Sequence, residues 1–157
     1  MDIIGFYVNL DNKTNYFPIL GFLKNAKGKR ELSSVNLAIV NLIETSNEYK
    51  EQLLLNSKNL VDKVYFFNIL KSLKSYLPKI VLNVLIKSIE ILLSKLSQTK
   101  SFLIGFEAND INNEVIPFVA SYFDCGIITN VIDFNLNDGL FKTFSYGSKS
   151  ISSFVMN

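Results

Sequence analysis

The segment from Lys79 to Lys95 constrains the fold more than any other part of this 157-residue chain. Lys79, Asn83, Lys87, Glu90 and the pair Ser94–Lys95 recur at spacings of three and four, which puts one narrow polar stripe on an otherwise apolar helix. A helix apolar around most of its circumference must be covered. It is too often interrupted by charge, and too short of the ~20 residues a bilayer needs, to be covered by lipid. A sheet and neighbouring helices are therefore expected to cover it.

The rest of the chain supplies candidates for that sheet. Ile3–Val8 and Tyr16–Leu23 are short runs of β-branched and aromatic residues parted by a turn-rich stretch, and both read as strands with a hairpin-like start. Pro18 sits near the start of the second run, where a strand tolerates a missing donor. Asn25–Ser34 reads as a loop into a helix over Val35–Tyr49, capped by Ser33 or Ser34. Glu51–Ser57 and Lys63–Asn68 read as further strands, and Ile69–Pro78 as a helical turn or a loop.

Ser101–Glu107 is a continuous apolar run, the mark of a central strand covered on both faces. Val115, Ile116, Val119, Ala120 and Phe123 share one face of the helix that follows, with Pro117 expected in or near its first turn and Gly126 as its left-handed cap. Ile127–Leu136 reads as a strand, Asn137–Gly139 as a turn, and the stretches 140–146 and 150–156 as closing strands. The sum predicts one α/β domain over residues 1–157: a three-layer sandwich with a mostly parallel sheet and antiparallel additions at the ends.

Composition excludes several classes of function. No histidine is present and Cys125 is the single cysteine, so imidazole bases, Ser-His-Asp and Cys-His chemistry and multi-cysteine metal sites are all excluded. A formal charge of +2 without a clustered basic face gives no basis for nucleic-acid binding. Asp2 and the broken apolar run after it do not make a secretory signal or an Arg-rich transit peptide. No membrane insertion is expected, and a cytoplasmic location is. One arginine among many lysines, with abundant Asn and Ile, reflects a compositional bias that lowers the functional weight of individual Lys and Asn residues.

Three places carry chemistry. Gly28, Lys29, Arg30 and Ser33 lie in a loop read as leading from a strand to a helix, where α/β proteins hold phosphate, although one glycine matches neither dinucleotide nor P-loop patterns. A solvated connection is the plainer reading. Glu107, Asp110 and Glu114 put three carboxylates in one loop, as an acid/base pair or magnesium site would need. Acidic residues are equally ordinary in first turns, where they complement the helix dipole. Cys125 follows a helix C-terminus, where the dipole disfavours a thiolate, and reads as a partly buried structural thiol.

The second half also carries an ordered set of motifs: Gly105 in a strand, then Glu114, Pro117, Ala120 and Gly126, then Ile127-Ile128-Thr129-Asn130-Val131, then Asp138-Gly139 and Tyr146–Ile151. This order resembles the N-terminal domain of the electron-transfer flavoprotein α subunit. Upstream, Gly28–Val40 looks like the segment that begins that family's first helix. Asn113 and Glu114 stand where the family has Arg-Asp, and Asn130 replaces an acidic residue.

The resemblance implies an adenine-nucleotide-hydrolase-like fold and a non-catalytic platform with no metal site. It implies pairing with an electron-transfer flavoprotein β-like subunit, in a mitochondrial matrix if the source is a eukaryote. FAD would be held mainly by a further domain that this chain stops before, with AMP on the β subunit. The electron donors would be flavoprotein dehydrogenases, and the acceptor a quinone-reducing partner. Asn113, Glu114, Tyr146 and Gly147 fall at the implied partner interface. A small adenine-nucleotide-binding α/β protein, with the Gly28 or the Gly105 loop over the phosphates, is the competing expectation.

Overall fold

A computed structural model describes residues 2–11, 16–27, 34–69, 77–96, 102–128, 131–135, 140–144 and 151–155. Strand and helix alternate as β1 (Asp2–Asn9), α1 (Phe17–Lys27), β2 (Ser34–Asn41), α2 (Asn47–Ser57), β3 (Lys63–Asn68), α3 (Leu77–Lys95), β4 (Phe102–Phe106) and α4 (Asp110–Tyr122). Three strands follow: β5 (Val131–Asn135), β6 (Leu140–Phe144) and β7 (Ile151–Val155). The first four strands form a parallel sheet in the order β3-β2-β1-β4, and the last three a separate antiparallel sheet in the order β5-β6-β7.

Alternation along each parallel strand sorts its side chains between two layers. Ile3, Tyr7, Val35, Leu37 and Ile39 pack with Ile19, Leu20 and Leu23 of α1 and with Tyr49 and Leu53 of α2. Ile4, Phe6, Ala38 and Val40 pack with Val81, Leu85, Ile89 and Leu92 of α3 and with Val115 and Val119 of α4. The molecule is therefore an α/β sandwich, with α1 and α2 on one face of the parallel sheet and α3 and α4 on the other. α3 is the stripe-bearing helix that the sequence predicts, and its Ser88 is buried by returning its hydroxyl to Val84 O at 2.8 Å.

Between Tyr16 and Ser57 the expected elements are interchanged. Residues 17–27 are helical, and Tyr16, Ile19, Leu20, Leu23 and Ala26 are the buried positions, at spacings of three and four. There is no N-terminal hairpin, and Pro18 falls in a helical first turn, where its missing N–H has no partner to lose. Residues 34–41 form a central strand buried on both faces, so no polar stripe exists to reveal a period. Residues 47–57 form a helix whose N-cap, Ser46, accepts from Tyr49 N at 3.1 Å. Of its three consecutive leucines only Leu53 is buried, in line with Tyr49 and Ser57.

Two features of α4 also differ from expectation. The helix starts at its N-cap Asn109, which puts Pro117 inside it. Proline there removes a helical N–H, and its exposed position leaves the freed carbonyl open to water. The helix closes on Asp124, which takes the left-handed conformation at φ 51°. Asp124 N donates to Ser121 O at 3.2 Å and Cys125 N to Ala120 O at 3.0 Å, the pair of bonds of a Schellman cap. β4, expected at the centre, ends the described strand order, and its side chains are half-buried. The turn at Asn137–Gly139 lies outside the described residues.

Candidate functional site at the carboxyl ends of the parallel strands

Each of the first three strands ends in asparagine between apolar neighbours: Val8-Asn9-Leu10, Val40-Asn41-Leu42 and Phe67-Asn68-Ile69. Parallel pairing puts Asn9 opposite Asn41 and Asn41 opposite Asn68. Their amides form a ladder across the sheet: Asn9 Nδ2 donates to Asn41 Oδ1 at 2.9 Å, and Asn41 Nδ2 donates to Asn68 Oδ1 at 2.9 Å. Asn9 and Asn41 are fully buried and Asn68 is exposed. The backbone continues the pairing one step further, with Leu42 N donating to Asn9 O at 3.1 Å and Ile69 N to Asn41 O at 2.9 Å. Abundant asparagine lowers the weight of any single one, yet the threefold apolar-Asn-apolar repeat is the signal for this ladder in the sequence.

Beside the ladder the sheet has its switch point. β1 is followed by a helix on one face and β4 by a helix on the other, so their carboxyl ends flank the position at which open α/β sheets take ligands. β4 leads into Glu107, Ala108 and the N-cap Asn109, whose side chain accepts from Asn112 N at 2.8 Å. Buried Asn112 in turn donates from Nδ2 to Glu107 O at 2.8 Å and fixes the loop. Burial raises the Glu107 carboxyl above its usual range.

Of the three carboxylates read as a possible magnesium site, Asp110 lies in the first turn of α4 and Glu114 one turn on, both exposed. Among the described residues no group of three or more His, Cys, Asp or Glu could hold a metal ion. Asn109 provides the cap itself, with Asp110 beside the positive end of the dipole.

The other candidates fare differently. Gly28, Lys29, Arg30 and Ser33 lie outside the described residues, as do Tyr146 and Gly147. The elements flanking residues 28–33 are a helix and then a strand, the reverse of the strand-to-helix order on which a phosphate loop was read. Cys125 is exposed, not partly buried, and its thiol lies 3.6 Å from Ala120 O as a weak donor. Asn113 and Glu114 are exposed on α4. Phe118 and Tyr122 continue the Glu114 line at helical spacing and are exposed too, as is Ile91 of α3. The Tyr122 hydroxyl donates to Glu90 Oε1 at 2.6 Å, and this bond and the carboxylate charge raise its pKa.

A tyrosine cluster closes the α1/α2 layer near the same end. The Tyr16 ring meets Tyr7 and Tyr49 edge-on at 6.1 and 6.0 Å, and its hydroxyl accepts from Asn56 Nδ2 at 2.9 Å. Burial first, then the neighbouring Tyr7 hydroxyl, pushes the Tyr49 phenol well above its ordinary value of 10.0. The folded chain thus holds this proton more tightly than the unfolded chain. The stabilisation is fully present below about pH 10 and is lost as pH rises through the folded value. Thermal melts taken from about pH 9 upward are expected to show that loss, and Tyr49→Phe should flatten the alkaline limb. An unchanged limb in the variant would assign it to other groups.

Among the described residues no helix is long and apolar enough to cross a membrane. No protein-family model matches the chain, and no curated protein matches it.

Proposed function

We propose that this chain is a non-catalytic α/β platform similar to the N-terminal domain of the electron-transfer flavoprotein α subunit. It pairs with a β-like subunit and supports FAD-dependent electron transfer from flavoprotein dehydrogenases to the respiratory chain. The observation that carries the reading is the run β4–α4–β5–β6–β7. A strand through Gly105, a helix holding Pro117 and Ala120, a strand from Val131 and an antiparallel pair come in the order of the resemblance. The upstream likeness lends no support, because Ser34–Asn41 is β2 and not part of a first helix.

Two further features suit a platform. The buried asparagines at the strand ends bond to one another, which ties the strands together. Asn113, Glu114, Phe118 and Tyr122 give α4 an exposed surface of mixed apolar and polar character, suited to a subunit contact. The flavin-contacting groups are assigned to other parts of the assembly.

The competing adenine-nucleotide reading now rests on the loop between β4 and α4, which lies at the switch point. Co-expression with an electron-transfer flavoprotein β subunit, followed by gel filtration, tests the platform. A stable heterodimer weakened by Phe118→Asp is the expected result. Calorimetric titration of the chain with AMP, ATP and FAD supplies the other arm. Micromolar binding of AMP or ATP to the isolated chain, lost on substitution in residues 107–110, would overturn the platform in favour of a nucleotide-binding protein.

A further inference from the structure

At the opposite end of the sheet from the asparagine ladder, three polar side chains gather on the α3/α4 face. Asp2 opens β1 and Ser34 opens β2, and the two are partners in register. Asn36 lies two residues further along the same face. Asp2 is 2% exposed and Asn36 1%. Ser34 Oγ donates to Asp2 Oδ1, and Asn36 Nδ2 donates to Ser34 Oγ at 2.8 Å and to Ile3 O at 3.4 Å. These bonds use the hydroxyl proton and the amide protons. Asp2 Oδ2 and Asn36 Oδ1 remain buried and meet no hydrogen-bond donor among the described residues.

Both open atoms are acceptors, so whatever completes the cluster is a donor or a cation. Water would satisfy the hydrogen bonding and leave the carboxylate charge uncompensated, which is costly in a buried place. The surroundings favour positive charge. α3 returns across this face from β3 towards the start of β4, and its carboxyl end, with the negative pole of its dipole, lies at the foot of the sheet. Asp62 adds a second carboxylate there, accepting from Val35 N at 2.7 Å. Of the lysines nearby, Lys95 holds its ammonium over the Tyr65 ring at 5.6 Å from the centroid, and Lys63 is exposed.

The geometry points to a cation site built from Asp2, Ser34 and Asn36, taking an alkali-metal ion, Na⁺ or K⁺. Carboxylate, amide and hydroxyl oxygens are hard ligands, and one carboxylate balances one positive charge. The ion would stitch β1 to β2 at their starting ends, as the asparagine ladder does at their finishing ends. This inference is independent of the proposed function.

Thermal melts of the full chain in sodium, potassium and tetramethylammonium chlorides at equal ionic strength test it. A saturable rise in Tm with Na⁺ or K⁺ is expected, absent with the bulky organic cation. Asp2→Asn should abolish the difference between salts, and Asn36→Asp should lower the half-saturating concentration. Equal Tm in all three salts would overturn the site in favour of a buried water or a cation of the chain itself. So would an ion effect that Asp2→Asn leaves intact. If Asp2→Asn fails to fold, an unchanged half-saturating concentration in Asn36→Asp overturns it instead.

Discussion

Gly105→Ala is expected to destabilise the protein by about 1–3 kcal/mol, the usual cost of overpacking a filled interior. A β-carbon on Gly105 would lie 2.5 Å from Phe22 Cε1 and 2.8 Å from its Cζ. Gly105 pairs in register with Gly5, where an added β-carbon would come within 2.7 Å of Ile19 Cγ2. The two glycines thus leave a bare strip across β1 and β4 on which α1 lies. Phe22 has little freedom to retreat, because its ring packs on Phe134 of β5 at a centroid distance of 5.4 Å.

Gly21→Ala is the natural control. Gly21 is exposed in α1, with nothing within 4 Å of an added β-carbon. It should stabilise by roughly 0.5–1 kcal/mol through helix propensity. The same substitution therefore carries opposite signs at the two positions in denaturant melts. Phe22→Leu combined with Gly105→Ala should recover part of the loss. Strict additivity of the two changes would show that ring and glycine are not in contact.

Asn41→Leu is the second large effect, about 1–3 kcal/mol. The substitution keeps the branched shape of asparagine, adds bulk at a buried position and removes the middle rung of the ladder. Asn9 Nδ2 loses the Asn41 acceptor at a fully buried position, where water does not readily replace it. Asn68→Ala should cost less: it takes the acceptor from Asn41 Nδ2, but Asn68 is exposed and water can enter where its amide stood. For a chain of this size each kcal/mol moves Tm by roughly 2–4 °C, so calorimetry would separate the two. Equal shifts for both variants would mean that burial does not set the cost of losing a rung.

What the sequence discloses depends on whether an element has a wet face. α3 and α4 show polar positions at helical spacing because one side meets solvent, and both are legible. β1, β3 and β4 are short apolar runs bounded by turn residues, which is also legible. β2 is covered on both faces, so Val35–Leu42 offers no period at all, and a serine pair at its start imitates a helix cap. α1 has the reverse problem: Tyr16, Phe17 and Ile19 carry strand-like propensity, yet Tyr16, Ile19, Leu20, Leu23 and Ala26 already mark one helical face. The asparagine ladder leaves only the repeated apolar-Asn-apolar triplet as its trace in the sequence, because its members are 32 and 27 residues apart in the chain.

The Phe22–Phe134 contact has a consequence for the order of events during synthesis. Every described strand and helix of the parallel layer lies before residue 123, and the described antiparallel strands lie between residues 131 and 155. Once Tyr122 has cleared the ribosome, the nascent chain already holds the described elements of that layer and can pack them, with the Phe22 ring still uncovered on one side. The last strands then dock onto a surface that was finished before they emerged.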